Sequence, residues 1–425
     1  MSAETQPLHR GTRVPGMAAL SGVLILLAGC FGGKGGPSGV TQPPPTPNVA
    51  TITVDTGPAA ATGAVNRPYV TVHVCAAGSS THCASIDHVL VDTGSWGLRL
   101  VRSTLTAAAV TLGTESDSQG NTIEECASFA SGQTWGPVAL ADVTLAGETA
   151  AKIPVQILDD TQSGAAPPAT CGSAALINRV TDWSANGVLG IGVFAEDCGM
   201  ACAGGGTPLP VYYGCNATGT CTAENVALTA QVRNPVWAFT TDNNGLIVSM
   251  PPLQNANGDP AAQGQLIFGL ATQADNALPV SGLTLLGADA SGDFQTTYNG
   301  ASASVPALID SGTNDYYFDD PTLAVCTSIA WVGYYCPANA PLVRSAINAS
   351  AVQTTASVSG PANTVTFPLS DPDNFVANAA AYGGLAGGAG ASHFRWGMPF
   401  FYGRPVYIGF EARSVTSFTG PFYGY

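Results

Sequence analysis

Two short stretches constrain this chain more than any other feature. Val89-Leu-Val-Asp92-Thr-Gly-Ser95 is an apolar run of strand type that ends on a carboxylate in a tight turn. Ala307-Leu-Ile-Asp310-Ser-Gly-Thr313 repeats the pattern in the second half of the sequence. Aspartate and glycine are poor interior strand residues, so an apolar strand running into Asp-Thr-Gly marks where the chain stops pairing and presents a side chain. One such stretch is an ordinary strand exit. Two, each with three apolar residues before the aspartate and a hydroxyl residue after the glycine, are hard to obtain by accident.

The length of 425 residues allows two or three domains and a sizeable core. Only 10% of residues are charged, while glycine and proline number 51 and 30, which suits a turn-rich β protein and argues against long solvated helices. The net charge of −15, with no basic patch, excludes nucleic acid as a partner.

Residues 1–29 read as an export signal, with His9, Arg10 and Arg13 ahead of the apolar run Met17–Ala28. The run is short for a membrane span and ends in Leu27-Ala-Gly-Cys30, which resembles the bacterial lipobox, whose cysteine carries lipid. Phe31, where an aspartate would resemble an inner-membrane retention signal, tilts the expected location toward the outer membrane. The chain is therefore expected in the bacterial cell envelope, lipid-anchored through Cys30 or otherwise exported. Residues 30–66, rich in glycine and then proline, are expected to form a tether.

There are 11 cysteines; with Cys30 lipidated, the rest form an even set in an oxidising compartment. Proximity pairs Cys75 with Cys83 and Cys326 with Cys336, and leaves two bridges among Cys198, Cys202, Cys215 and Cys221. Cys126 would then pair with Cys171. A metal reading competes near His73, Cys75, His82, Cys83 and His88, but oxidation favours the disulfide, and no metal or cofactor is expected.

Short strand-like runs separated by turn residues dominate from Arg67 onward, as in Tyr69–Val74 and Val138–Leu145. The cysteine-rich segment 195–222 and the glycine run Gly383–Gly390 read as loops, the second as a mobile or disordered one.

These motifs, in this order, resemble the pepsin-like aspartic proteases. After Asp92-Thr-Gly comes Phe129-Ala-Ser131-Gly132, similar to the flap hairpin of that family. Asn186-Gly-Val-Leu-Gly-Ile-Gly192 is similar to the segment backing the first catalytic loop. Gly264–Gly269, then Asp310-Ser-Gly-Thr, then Arg395-Trp-Gly397 through Phe410 follow in the family's order. The resemblance implies an all-β, bilobal fold of two β-barrel-like lobes around a cleft. The N-terminal lobe would span 67–255 and the C-terminal lobe 256–425. It further implies Asp92 and Asp310 as the catalytic pair and Thr93, Gly94, Ser95, Ser311, Gly312 and Thr313 as their support, with Thr93 and Ser311 each donating to the opposite loop.

Two carboxylates brought together cannot both ionise cheaply, so they share a proton; one activates water while the other protonates a peptide carbonyl. An acidic optimum is expected from that shared proton and from Thr313. The chain departs from the family at Phe129, a tyrosine in pepsins, and at Arg99, where its tryptophan partner usually stands, so that both partners of this contact are missing. Trp96 and Asn314 follow the two tetrads in place of small residues, and Trp96 and Trp135 are candidates for cleft lining or core. The resemblance implies an inhibitory basic propeptide, whereas only the tether separates Cys30 from the first expected strand.

Three readings follow. The first is a membrane-tethered, monomeric aspartic endopeptidase acting on peptide or protein. The second is a catalytically silent pepsin-fold lipoprotein that binds peptide or glycan. The third is a structural envelope lipoprotein whose turns mimic the motif.

Overall fold

The computed structural model describes residues 48–279, 281–358 and 360–425. Strands dominate, and the few α-helices among the described residues are one or two turns long, as at Arg102–Ala107 and Val180–Trp183. None is long and apolar enough to cross a membrane.

Each half of the chain builds the same three-stranded device. In the first, the strand Cys83–Asp92 leads through a turn into Trp96–Val101, yet these two do not pair. Gly187–Ile191 inserts between them, parallel to the former with Gly190 opposite Asp92, and antiparallel to the latter. In the second half Phe394–Trp396 inserts between Val305–Ile309 and Tyr316–Tyr317, parallel to one and antiparallel to the other. Strands buried on both faces must be apolar throughout. Val89, Leu90 and Val91 are accordingly buried, as are Val188 and Leu189.

A central sheet joins the halves. Val49–Val54 pairs with Ala262–Phe268, which pairs with Gly245–Met250, then Arg404–Gly409, then Phe422–Gly424. The result is the all-β, bilobal, pepsin-like architecture that the ordered motifs imply.

Several sequence expectations need correction. The stretch 30–66 is not all tether: Val49–Val54 alternates apolar and polar residues and buries Ile52 and Val54. Residues 30–47 lie outside the described residues. Asn66, at the end of that stretch, is fully buried and donates to the carbonyls of Asn314 and Tyr382 at 2.8 and 2.9 Å. A lobe division at 255/256 separates Gly245–Met250 from Ala262–Phe268, two strands paired antiparallel in one sheet.

The glycine run is buried over Gly384–Gly388, where Ala386–Gly387 pairs parallel with Tyr316–Tyr317. Close approach explains the glycines, since a Cβ on Gly387 would stand 2.7 Å from a carboxylate oxygen of Asp315. Within the cysteine-rich segment, Tyr212–Cys215 is a buried strand against Thr122–Glu125 rather than a loop.

Candidate functional site

Asp92 and Asp310 end their strands where the two halves meet, and both are buried, 6% and 5% exposed. Each inner carboxylate oxygen is held by its own turn. The Gly94 amide donates to Asp92 Oδ1 at 2.9 Å, and the Gly312 and Thr313 amides donate to Asp310 Oδ1 at 2.9 and 3.1 Å. Each outer oxygen takes a hydroxyl: Ser95 Oγ donates to Asp92 Oδ2 at 2.5 Å and Thr313 Oγ1 to Asp310 Oδ2 at 2.7 Å.

The two turn glycines set how closely the carboxyl groups approach. A Cβ on Gly94 would lie 2.5 Å from Asp310 Cγ, and one on Gly312 would lie 2.5 Å from Asp92 Oδ1. Only a residue without a side chain leaves room for the opposite carboxylate.

Thr93 and Ser311 tie the turns together. Thr93 Oγ1 donates to the Ile309 carbonyl at 2.8 Å and accepts from the Ser311 amide at 2.9 Å. Reciprocally, Ser311 Oγ donates to the Val91 carbonyl at 2.7 Å and accepts from the Thr93 amide at 3.2 Å. Four bonds of this kind across buried groups fix the two turns in one frame.

The electrostatics of the pair are asymmetric. Burial, and then the charge of Asp310, push the Asp92 carboxyl up to about 7, against the opposing bonds from Ser95 and Gly94. Asp310 instead faces a cation: Arg395 Nη1 stands 3.0 Å from Asp310 Oδ2. A buried pair with one proton can give a base and an acid in one site.

Residues 44–425 match the family described as protein of unknown function, DUF3443. The chain belongs to that family. No curated protein matches the chain. Among solved structures it is similar to the aspartic proteinase from Irpex lacteus, at 14% identity and a TM-score of 0.44, over 88% of this chain and 96% of that one.

The flap residues of this DUF3443 protein form a small hairpin, with Ser128–Phe129 paired to Gly132–Gln133 and Ser131 exposed at the tip. Phe129 meets Trp183 edge to face at 4.9 Å, and its ring also lies against Arg99. The tyrosine and tryptophan of the resembled contact are both absent, and Arg99 and Phe129 touch in the two positions named. Trp135 is core, with its indole N–H donating to the Ala165 carbonyl at 2.6 Å. Trp96 is half-buried against Phe194, with ring centroids 4.9 Å apart. Asn314 donates to the Tyr334 hydroxyl at 2.9 Å.

Five disulfides join the described cysteines: Cys75–Cys83, Cys126–Cys171, Cys198–Cys202, Cys215–Cys221 and Cys326–Cys336. His73 lies beside the first of these, whose sulfurs are bonded to each other and offer no thiolate to a metal. Cys30 lies outside the described residues.

The partners of three charged groups were not legible in the sequence. Arg395 was legible only as a strand residue; the signal was an arginine before Trp396-Gly397, where the resembled family has an apolar residue. Arg67 donates to the Gly312 carbonyl at 2.7 Å. Arg99 is buried with Glu125 and Asp197, at 2.5 and 3.0 Å. Its Nε also donates to Gln156 at 3.1 Å.

Proposed function

We propose that this protein is an aspartic endopeptidase, tethered to the bacterial envelope through a lipid on Cys30 and acting as a monomer on peptide or protein substrates. The observation that carries the reading is the pair Asp92 and Asp310. Both are buried, each turn glycine lies against the opposite carboxyl, and the turns are cross-bonded through Thr93 and Ser311.

In the proposed reaction the ionised carboxylate takes a proton from water as the water oxygen bonds to the peptide carbonyl carbon. The protonated partner gives its proton to the carbonyl oxygen, forming a neutral tetrahedral diol. On collapse the C–N bond breaks, the leaving nitrogen takes the proton held by the base, and a diol hydroxyl returns its proton to the acid. The pair ends as it began.

The second reading, a silent pepsin-fold lipoprotein binding peptide or glycan, draws support from Phe129, which lacks the phenol hydroxyl of the resembled flap, and from the cation on Asp310. One experiment separates the two. The chain lacking residues 1–30 is incubated with a mixed peptide library from pH 3 to 8, beside Asp92→Asn and Asp310→Asn. The endopeptidase reading expects cuts by the wild type that vanish in both variants. A folded wild type that makes no cuts overturns it in favour of the binding module.

A further inference from the structure

Three observations about Arg395 stand together. It lies on the inserted strand Phe394–Trp396, and the Asp310 amide donates to the Trp396 carbonyl at 3.0 Å. Its guanidinium reaches the same outer oxygen of Asp310 that takes the Thr313 hydroxyl. Finally, the repeat of the three-stranded device has no counterpart. Gly190 pairs with Asp92 in the first half and Gly397 follows Trp396 in the second. The residue two before each glycine is Val188 in one half and Arg395 in the other. Val188 is fully buried and apolar. A fold whose two halves present equivalent carboxylates therefore carries a cation on one side only.

We propose that Arg395 fixes the charge asymmetry of the pair, holding Asp310 as the carboxylate that accepts the proton of water and leaving Asp92 to carry the proton given to the carbonyl. Arg395 is thus a positioning residue, acting through Asp310, and the inference rests on the endopeptidase reading for its consequence in catalysis.

The bond geometry leaves the inner oxygens unobstructed by the cation. Nη1 of Arg395 approaches Oδ2, whereas the oxygen of Asp310 bonded by the Gly312 and Thr313 amides is Oδ1. An opposite charge at hydrogen-bond distance favours the ionised form of a carboxyl group, most strongly where solvent is excluded. The opposite assignment would place an uncharged carboxylic acid against the guanidinium and the carboxylate on Asp92, which has no ion pair with Arg395, so the charge would lose its hydrogen-bonded partner.

The other charged and titratable groups around Arg395 and Asp310 belong to five segments. Asp92 faces them from the first half. Asp293 and Asp289 come from the turn before Phe294–Tyr298, and Asp293 is pushed up to about 6 by burial and by Asp289, against His393 and Arg395. His393 precedes Phe394 on the inserted strand. Tyr423, on the C-terminal strand, is buried and donates to the Gly292 carbonyl at 3.1 Å. Arg67, bonded to the Gly312 carbonyl, adds a second cation behind the turn. Asp310 first, and then Asp92 and Asp293, favour the charged form of Arg395 against its burial.

The test compares wild type with Arg395→Leu and Arg395→Lys, all lacking residues 1–30 and shown to be folded by near-ultraviolet circular dichroism. The first readout is the side-chain carboxyl carbon resonances of aspartate-labelled protein, assigned through Asp92→Asn and Asp310→Asn, which require no activity. At pH 5.5 the wild type is expected to show Asp310 ionised and Asp92 protonated. Arg395→Leu should erase that difference and Arg395→Lys should retain it.

The second readout is the pH profile of peptide cleavage. Arg395→Leu should move the acid limb upward by about 1–3 pH units, and Arg395→Lys should restore most of the shift. Identical resonances and profiles in wild type and Arg395→Leu, or a protonated Asp310 in the wild type, overturn the inference. If the wild type cuts nothing while the resonances behave as expected, the inference on the proton stands and the endopeptidase reading falls.

Discussion

The guanidinium carbon of Arg99 lies 5.4 Å from the centroid of the Phe129 ring. In the resembled family these positions hold a tryptophan and a tyrosine that share a hydrogen bond; here a cation and an apolar ring make the contact instead. Arg99 is 2% exposed, and its charge is balanced below the hairpin by Glu125 and Asp197, with Tyr212 donating to Asp197 at 2.6 Å. Gln156 links the same group to the backbone of Glu125 at 2.8 Å. The hairpin thus rests on a buried ionic cluster centred on Arg99, which follows the Asp92 turn closely in sequence.

Removing the cation from that cluster should be severe. Arg99→Leu strands Glu125 and Asp197 without their partner, and burial already pushes Glu125 well above the usual carboxylate range. Breaking a buried pair by removing one partner costs about 3–5 kcal/mol. Urea denaturation at pH 7 should show a loss of that order, part of which returns in the double variant Arg99→Leu, Glu125→Leu. A loss below about 1 kcal/mol would mean that the cluster is solvated and does not support the hairpin.

The cross-bonded turns make a second expectation. Thr93→Val keeps the shape of the side chain but leaves the Ser311 amide without its acceptor and the Ile309 carbonyl without its donor, both in buried surroundings. An unmade buried bond costs about 1–3 kcal/mol, and the two turns also lose their common frame. Thr93→Ser keeps the hydroxyl and should lie close to wild type. Thermal unfolding of the three proteins decides it: a valine variant as stable as the serine variant would show that the bonds across the turns contribute nothing.

What the sequence revealed and what it hid divides along a physical line. Asp92, Asp310 and their hydroxyl neighbours were readable because a strand that stops at a carboxylate is a local pattern, and local patterns survive without knowledge of the fold. Thr93 and Ser311 were readable through the resemblance alone, since their partners lie across the molecule. Arg395 stood out locally only as an arginine before Trp396-Gly397, and its partner, 85 positions away, was not readable without the fold.

The same holds for Arg99, whose two acidic partners are 26 and 98 positions away. Val49–Val54 was lost for the opposite reason. It alternates as a strand should, but proline and glycine in the flanking stretch dominated the reading. The glycine run failed because glycine marks both loops and close approach, and only packing against Asp315 tells them apart.

Asp92 also makes stability depend on pH in a direction that can be worked out. Its carboxyl rises from an ordinary value of 3.8 to about 7 in the folded chain. Between those values the folded protein binds a proton that the unfolded chain has released, so stability falls as pH rises through this range. Below about pH 4 both states are protonated and the group has no effect. Asp92→Asn carries no ionisable group, so it should match wild type near pH 4 and exceed it near pH 8. At about 1.4 kcal/mol per unit, the gap at pH 8 is on the order of 4 kcal/mol. Urea midpoints at the two pH values give it directly. A variant less stable than wild type at pH 8 would show that Asp92 is favourably ionised in the folded protein. The proton of the carboxyl pair would then not be held on Asp92.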